Sequence, residues 1–257
     1  ADFSRFLERY SQEVLRWNSQ FSLISRVEPE RRLCSLVEQC LSALRALPAA
    51  LGDLDAEAAA ALLPRGPGAG SPSSVRRLCL VDIGSGAGLP GLVWHRLLWE
   101  RAGVLGPPPA SWLIEPRGQR AWFLERCIDL LGLSGIRALA APWGEARLGP
   151  DAVGIGPRDG SARLGAWNGS PPEPVWLLAL MALRLSDRDI VRGWKAFVGG
   201  RDPLPGERLV VLRLRGGSPR SEAPDELALP DRAFWRWVPC GPSTRPSSLI
   251  VSLHGGR

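Results

Sequence analysis

The sequence predicts an α/β fold: a doubly wound, mainly parallel sheet with its last strand reversed, preceded by a helical segment. Three observations carry this reading. From residue 76 onward, short apolar runs alternate with amphipathic stretches at the spacing of βα units. A glycine-rich turn, LVDIGSGAGLPG at 80–91, follows the first of those runs directly. The last two runs, 234–238 and 249–253, leave no room for a helix between them, so that pair is antiparallel.

The elements follow in order. Phe3, Phe6, Leu7, Tyr10, Val14, Leu15 and Trp17 recur at three- and four-residue spacing, which gives one apolar helix face. Leu33, Leu36, Val37, Cys40, Leu41, Leu44 and Leu47 repeat the pattern. Residues 1–63 therefore read as an N-terminal helical extension, with a further short helix over 56–63. Residues 64–75 open with PRGPGAGSPSS and read as a linker. The main domain takes 76–257. Its strands are expected at 78–83, 112–115, 136–141, 175–183 and 209–214, with helices over 92–101 and 117–131. The fourth strand is expected to run into a helix. Residues 148–172, rich in Gly and Pro, read as an inserted loop.

Composition narrows the function classes. The formal net charge is +6 and Lys195 is the only lysine, so arginine supplies the positive charge. That balance favours an anionic partner such as RNA. The five cysteines are scattered, with no CxxC pair, which suggests buried thiols in a reducing compartment. His95 and His254 are the only histidines and read as structural, which argues against a His-based metal site or a Ser-His-Asp triad. No metal is expected. No apolar run reaches the ~18–20 residues of a membrane span, and the start lacks the order of a signal peptide. The expected location is cytoplasmic.

The glycine turn is the first candidate site. A parallel strand ending at Asp82 delivers its loop to the carboxyl edge of the sheet, where ligands bind. Gly84, Gly86 and Gly88, with Ser85 and Leu89 between and after them, let backbone approach a ligand closely. Glu115 ends the next strand, with Pro116 following, and an acid there suits both hydroxyls of a ribose. A dinucleotide site reads GxGxxG and holds pyrophosphate at a helix N-terminus. Here Asp82 stands two residues before the first glycine. It would repel pyrophosphate and suits the ammonium of a methionine moiety. With the reversed last strand, this points to S-adenosylmethionine as cofactor.

The tryptophans divide. Trp94, Trp99, Trp112, Trp122 and Trp176 fall on apolar faces and read as core. Trp143 follows the third strand and is placed either to stack on adenine or to pack. Trp235 and Trp237 alternate on a strand, as a base-stacking platform or as ordinary sheet packing.

Together these motifs resemble the bacterial small-subunit (16S) rRNA guanine-N7 methyltransferases, also called glucose-inhibited division protein B. LRWNSQFSLIS at 15–25 is similar to that family's N-terminal WN motif. VDIGSGAGLPG is similar to its cofactor loop, and LIEPRGQRAWFLERCIDLLGL at 113–133 to its strand–turn–helix. LPGERLVVLRLRGG at 204–217 resembles the stretch leading to its Lys-Gly. The resemblance implies a Rossmann-like class I S-adenosylmethionine-dependent methyltransferase sheet, acting on 16S rRNA or the small ribosomal subunit. It implies cofactor contacts from Asp82, Gly84, Ser85, Gly86, Gly88, Leu89, Glu115, Pro116, Gly144 and Glu145. It implies RNA contacts from Arg120, Arg215 and Arg245. It implies no catalytic base.

The departures are specific. Ser22 replaces the second Asn of the WN motif, and the family's His-x-Leu-Asp-Ser reads Gln39 to Ala43. Gln119 stands where a lysine is usual, and Trp143-Gly144-Glu145 keeps only the acid of an Arg-x-Glu. Either Ala179 or Arg158 takes an arginine position, the first on better spacing; Ser247 takes another, with Arg245 close by. Two expectations follow: an active guanine-N7 methyltransferase, or a diverged non-catalytic relative that binds the cofactor or RNA without methylating.

Overall fold

The structure, a computed structural model, describes residues 3–52, 76–100, 109–148, 173–181, 185–200, 207–216, 234–240 and 247–254. Helices α1 (Phe3–Phe21) and α2 (Pro29–Gly52) come first. Strand β1 (Arg76–Ile83), α3 (Gly91–Glu100), β2 (Ala110–Ile114), α4 (Gly118–Leu130) and β3 (Ile136–Leu139) make the first βα repeats. Then come β4 (Glu173–Met181), α5 (Asp187–Phe197), β5 (Arg208–Gly216), β6 (Phe234–Cys240) and β7 (Ser247–His254).

The seven strands form one sheet in the order β3-β2-β1-β4-β5-β7-β6. Strands β1 to β5 pair in parallel, and β7 runs antiparallel to both β5 and β6. This is the expected doubly wound sheet with its last strand reversed. The strand order reverses between β1 and β4, whose register pairs Asp82 with Ala179. Ligands bind outside the carboxyl ends of the strands at such a switch point.

The central strands are covered on both faces, so they read as continuous apolar runs. Leu80 and Leu177 face one core with Tyr10, Leu33, Leu92 and Phe123. Val81 and Leu178 face the other, with Trp112, Trp176, Trp194 and Phe197. Helices α1 and α2 thus share the core under the sheet. The Trp94 indole N–H donates to the Cys40 carbonyl at 2.7 Å, which ties α3 to α2.

Helix α5 is the element the apolar pattern left unbounded. Its start is nonetheless written: Ser186 caps it, its hydroxyl accepting from the Asp189 N–H at 3.1 Å. Ile190, Trp194 and Phe197 then bury one stripe. Trp94, Trp112 and Trp176 are core as expected. Trp122 is not; it stands 47% exposed. Helix α4 buries Phe123, Leu124, Cys127 and Ile128, which turns Trp122 to the flank, edge-on to Trp17 and Phe21.

The expected short helix over 56–63, the linker, most of the inserted loop, Arg158 and Arg245 lie outside the described residues. So do the side chains of Arg215, Trp235 and Trp237. Among the described residues, no helix is long and apolar enough to cross a membrane.

Candidate functional site

A cavity of about 610 Å³ opens at the carboxyl ends of β1, β2 and β4. That volume lies within the range of small-molecule sites. Ile83 and Ile114 close its floor. Gly84, Ser85, Gly86, Ala87 and Leu89 form one wall, and Glu115, Pro116, Arg117 and Arg120 the next. Pro142 and Trp143 follow from the end of β3, and Met181 and Leu185 from β4. Leu23, Ile24, Ser25, Arg32 and Leu36 cover it from the N-terminal segment.

The loop needs its glycines for different reasons. Gly84 and Gly86 take φ of 74° and 53°, the left-handed region, and line the cavity. Gly88 lies below, where a Cβ would collide with Leu92 and stand 3.1 Å from Leu124. It shapes the turn and does not reach the cavity.

Glu115 is 4% exposed and faces the cavity. Its Oε2 accepts from the Gly86 N–H at 2.9 Å and its Oε1 from the Arg117 N–H at 3.0 Å. A carboxylate offers about four acceptor positions. Two are used, and two remain for a vicinal diol. The same bonds fix the glycine loop to the end of β2.

Asp82 corrects the sequence reading. Its carboxylate is fully buried under the loop and does not line the cavity. Oδ2 accepts from the Gly91 N–H at 3.0 Å, so the acid anchors the start of α3. Burial pushes its pKa up to about 7, although the Gly91 hydrogen bond opposes the shift. Gly144 and Glu145 are also displaced from the expected site. The turn after β3 presents Pro142 and Trp143 to the cavity, and Glu145 points to solvent.

Three contacts hold the N-terminal segment at the cavity: one to the glycine loop, one within the segment and one to α4. The Tyr10 hydroxyl donates to the Ala87 carbonyl at 2.9 Å. The Asn18 Oδ1 accepts from the Ile24 N–H at 2.9 Å and so holds the turn that lines the cavity. The Arg120 guanidinium donates to the carbonyls of Phe21 and Ser22, at the end of α1. Burial, then the Arg117 charge, lowers the Arg120 pKa from its ordinary value. Arg120 is thus engaged with backbone in the structure. Ser22, in place of an Asn, takes φ of 49°, a conformation Asn tolerates better. The segment Gln39 to Ala43 does not line the cavity; Cys40 and Ala43 are core, and α2 presents Arg32 and Leu36 instead.

Three contributors carried no mark in the sequence: Arg32, Arg117 and Gly193. At Gly193 a Cβ would collide with the Trp143 indole. Only a glycine lets α5 come that close, and its approach holds Trp143 against Phe197 at the cavity wall.

His95 is structural. Its Nε2 donates to the Ser134 carbonyl at 2.9 Å, so Nδ1 is the acceptor from the Ser111 hydroxyl at 2.8 Å. Burial lowers its pKa to about 4. Asp82 and His95 then pull stability in opposite directions. Between pH ~4 and ~7 folded Asp82 keeps a proton that the unfolded chain has released, so stability falls as pH rises. Between pH ~6.5 and ~4 the unfolded chain protonates its histidine first, so stability is lost as pH falls. The slopes nearly cancel. Asp82→Asn is expected to unmask the histidine: urea unfolding should gain roughly 3 kcal/mol from pH 4 to 6.5. His95→Gln should show the opposite slope. Profiles parallel to the wild type would contradict both assignments.

Comparison with known proteins gives the sequence relationship. No protein-family model matches the chain. It is 29% identical over 155 residues to the ribosomal RNA small subunit methyltransferase G of Myxococcus xanthus, covering 60% of this chain and 54% of that one. It is 30% identical over 130 residues to the protein of the same name from Desulfotalea psychrophila, covering 51% and 44%. The Thermobifida fusca protein of that name is 40% identical over 58 residues, 23% of this chain and 21% of that one. Over the matched stretches the chain is similar in sequence to these methyltransferases. It spans about half the length of the first two relatives. Solved structures are looser matches. A putative methyltransferase from Escherichia coli is 14% identical with a TM-score of 0.39, over 72% of this chain and 81% of that one. An rRNA methylase from Streptococcus thermophilus is 12% identical with a TM-score of 0.39, over 72% and 91%.

Proposed function

We propose that the chain is an S-adenosylmethionine-dependent methyltransferase acting on a guanine N7 of small-subunit rRNA. One observation carries the reading: an open cavity with Glu115 and the left-handed glycines of the β1 turn on adjoining walls. The fit is chemical. Glu115 retains acceptor positions for a ribose diol, Gly84 and Gly86 leave backbone bare for close approach, and Trp143 offers a flat wall for a purine. The names of the sequence relatives support the same substrate class. The reading puts the protein in the cytoplasm with its RNA.

The cofactor supplies an electrophilic methyl group. Guanine N7 carries an in-plane lone pair and no proton, so the chain need supply no general base. Its task is to hold the acceptor in line and to exclude water. Holding reactants in such geometry contributes up to ~7–11 kcal/mol. Leu36, Leu89, Met181 and Leu185 give that part of the cavity apolar walls.

The test is mass spectrometry of small-subunit rRNA from a methylation-deficient strain carrying this chain. The expected result is one N7-methylated guanine, absent when the strain carries the Gly86→Val variant. Gly86→Val forces a β-branched residue into φ of 53° at the cavity wall. Unmodified RNA with the wild-type chain, alongside retained S-adenosylhomocysteine binding, would favour the non-catalytic relative instead.

A further inference from the structure

We propose that Arg32 and Arg117 form a phosphate clamp at the mouth of the cavity, gripping the RNA backbone beside the nucleotide that enters. The inference rests on the reading of the cavity as a site for RNA methylation. The two arginines come from unconnected elements, the first turns of α2 and the residue before α4. Both are exposed and both line the cavity. Elsewhere on the described surface, Arg31, Arg96 and Arg192 each reach an acid within 4 Å, one helical turn away, whereas Arg45 and Arg188 are exposed with none among the described residues but do not line the cavity. Arg32 and Arg117 have no acid partner among the described residues.

Among the described residues, the cavity walls hold three arginines and a single acid, Glu115, which already accepts from two backbone N–H groups. Arg120, the third, donates to the carbonyls ending α1. That leaves two fork-shaped donors with nothing to bind at one opening. Guanidinium matches phosphate oxygens bidentately, and phosphate contacts fix an RNA in register without reading its bases. A single small anion would need both forks turned inward. A polynucleotide is met by forks that are exposed and line the cavity, as both of these do.

Filter binding with in vitro transcribed small-subunit rRNA, at several salt concentrations, tests the clamp. The variants are Arg32→Ala, Arg117→Ala and the pair, against Arg45→Ala, an exposed arginine further along α2. Each clamp variant should lose roughly 5- to 10-fold in affinity, and its slope of log affinity on log salt should shrink by about one. Arg45→Ala should match the wild type. The S-adenosylhomocysteine affinity, read by calorimetry on the same preparations, should fall by much less than the RNA affinity, since the Arg117 backbone N–H that holds Glu115 survives the substitution. If the clamp variants keep the wild-type affinity and slope, or if the wild type does not bind the RNA, the clamp is wrong. If they lose S-adenosylhomocysteine binding instead, the arginines serve the cofactor and the clamp is again wrong. A wild type that holds RNA through these arginines but binds no S-adenosylhomocysteine leaves the clamp standing and removes the cofactor reading.

Discussion

Glu115→Ala should weaken S-adenosylhomocysteine binding by 100-fold or more, the largest functional effect expected of any single substitution here. Each hydrogen bond to a charged group contributes roughly 1.5–3 kcal/mol, and two ribose hydroxyls would share this carboxylate. The substitution also frees the Gly86 and Arg117 N–H groups that Glu115 now satisfies, so the loop loses its fixed shape. Glu115→Gln is not a mild control. Both oxygens accept from backbone donors, and an amide would set its NH₂ against one of them. Gln should therefore also lose most of the affinity. Calorimetry reads the affinity, and a melting curve on each variant separates it from unfolding. Near-wild-type affinity in Glu115→Gln would show that the carboxylate does not grip a sugar.

Gly91→Ala should lower stability by about 2–3 kcal/mol, the largest effect on the fold. The added Cβ would sit 2.6 Å from Asp82 Oδ2 and collide with Leu113, both fully buried. Overpacking a filled core costs ~1–3 kcal/mol, and here it also presses on the hydrogen bond that starts α3. The loop hangs between that bond and Glu115, so cofactor affinity should fall with stability. Urea unfolding checks the first and calorimetry the second. A variant as stable as the wild type would mean that α3 and β1 are less tightly packed than described.

The sequence showed the skeleton because the skeleton is periodic. Strands buried on both faces write themselves as unbroken apolar runs, as at Leu78–Ile83, and a turn with left-handed residues must spend glycines there. Glu115 was legible because it ends a strand beside that turn. Direction was not legible. Asp82 stands next to Ile83 in the chain, but a strand sends neighbouring side chains to opposite faces, and Asp82 took the face under α3. Trp122 looked like core because it is apolar among apolar residues; its angle on α4 puts it outside. The residues that frame the opening were invisible as a set. Arg32, Arg117 and Trp143 come together only when α2, α4 and the turn after β3 converge on one sheet edge. In an arginine-rich chain no single arginine stands out. Gly193 had no signal at all, since its role is the room it leaves for a ring fifty residues away.

The proposed cofactor site stands or falls on whether S-adenosylhomocysteine, the demethylated form of the cofactor, fits between the first turn of the sheet and the acid beside it. Isothermal titration of the unaltered chain with S-adenosylhomocysteine asks this directly. The expected result is saturable binding, one molecule per chain. Absence of heat at ligand concentrations into the millimolar range, from a protein whose melting curve shows it folded, would contradict it.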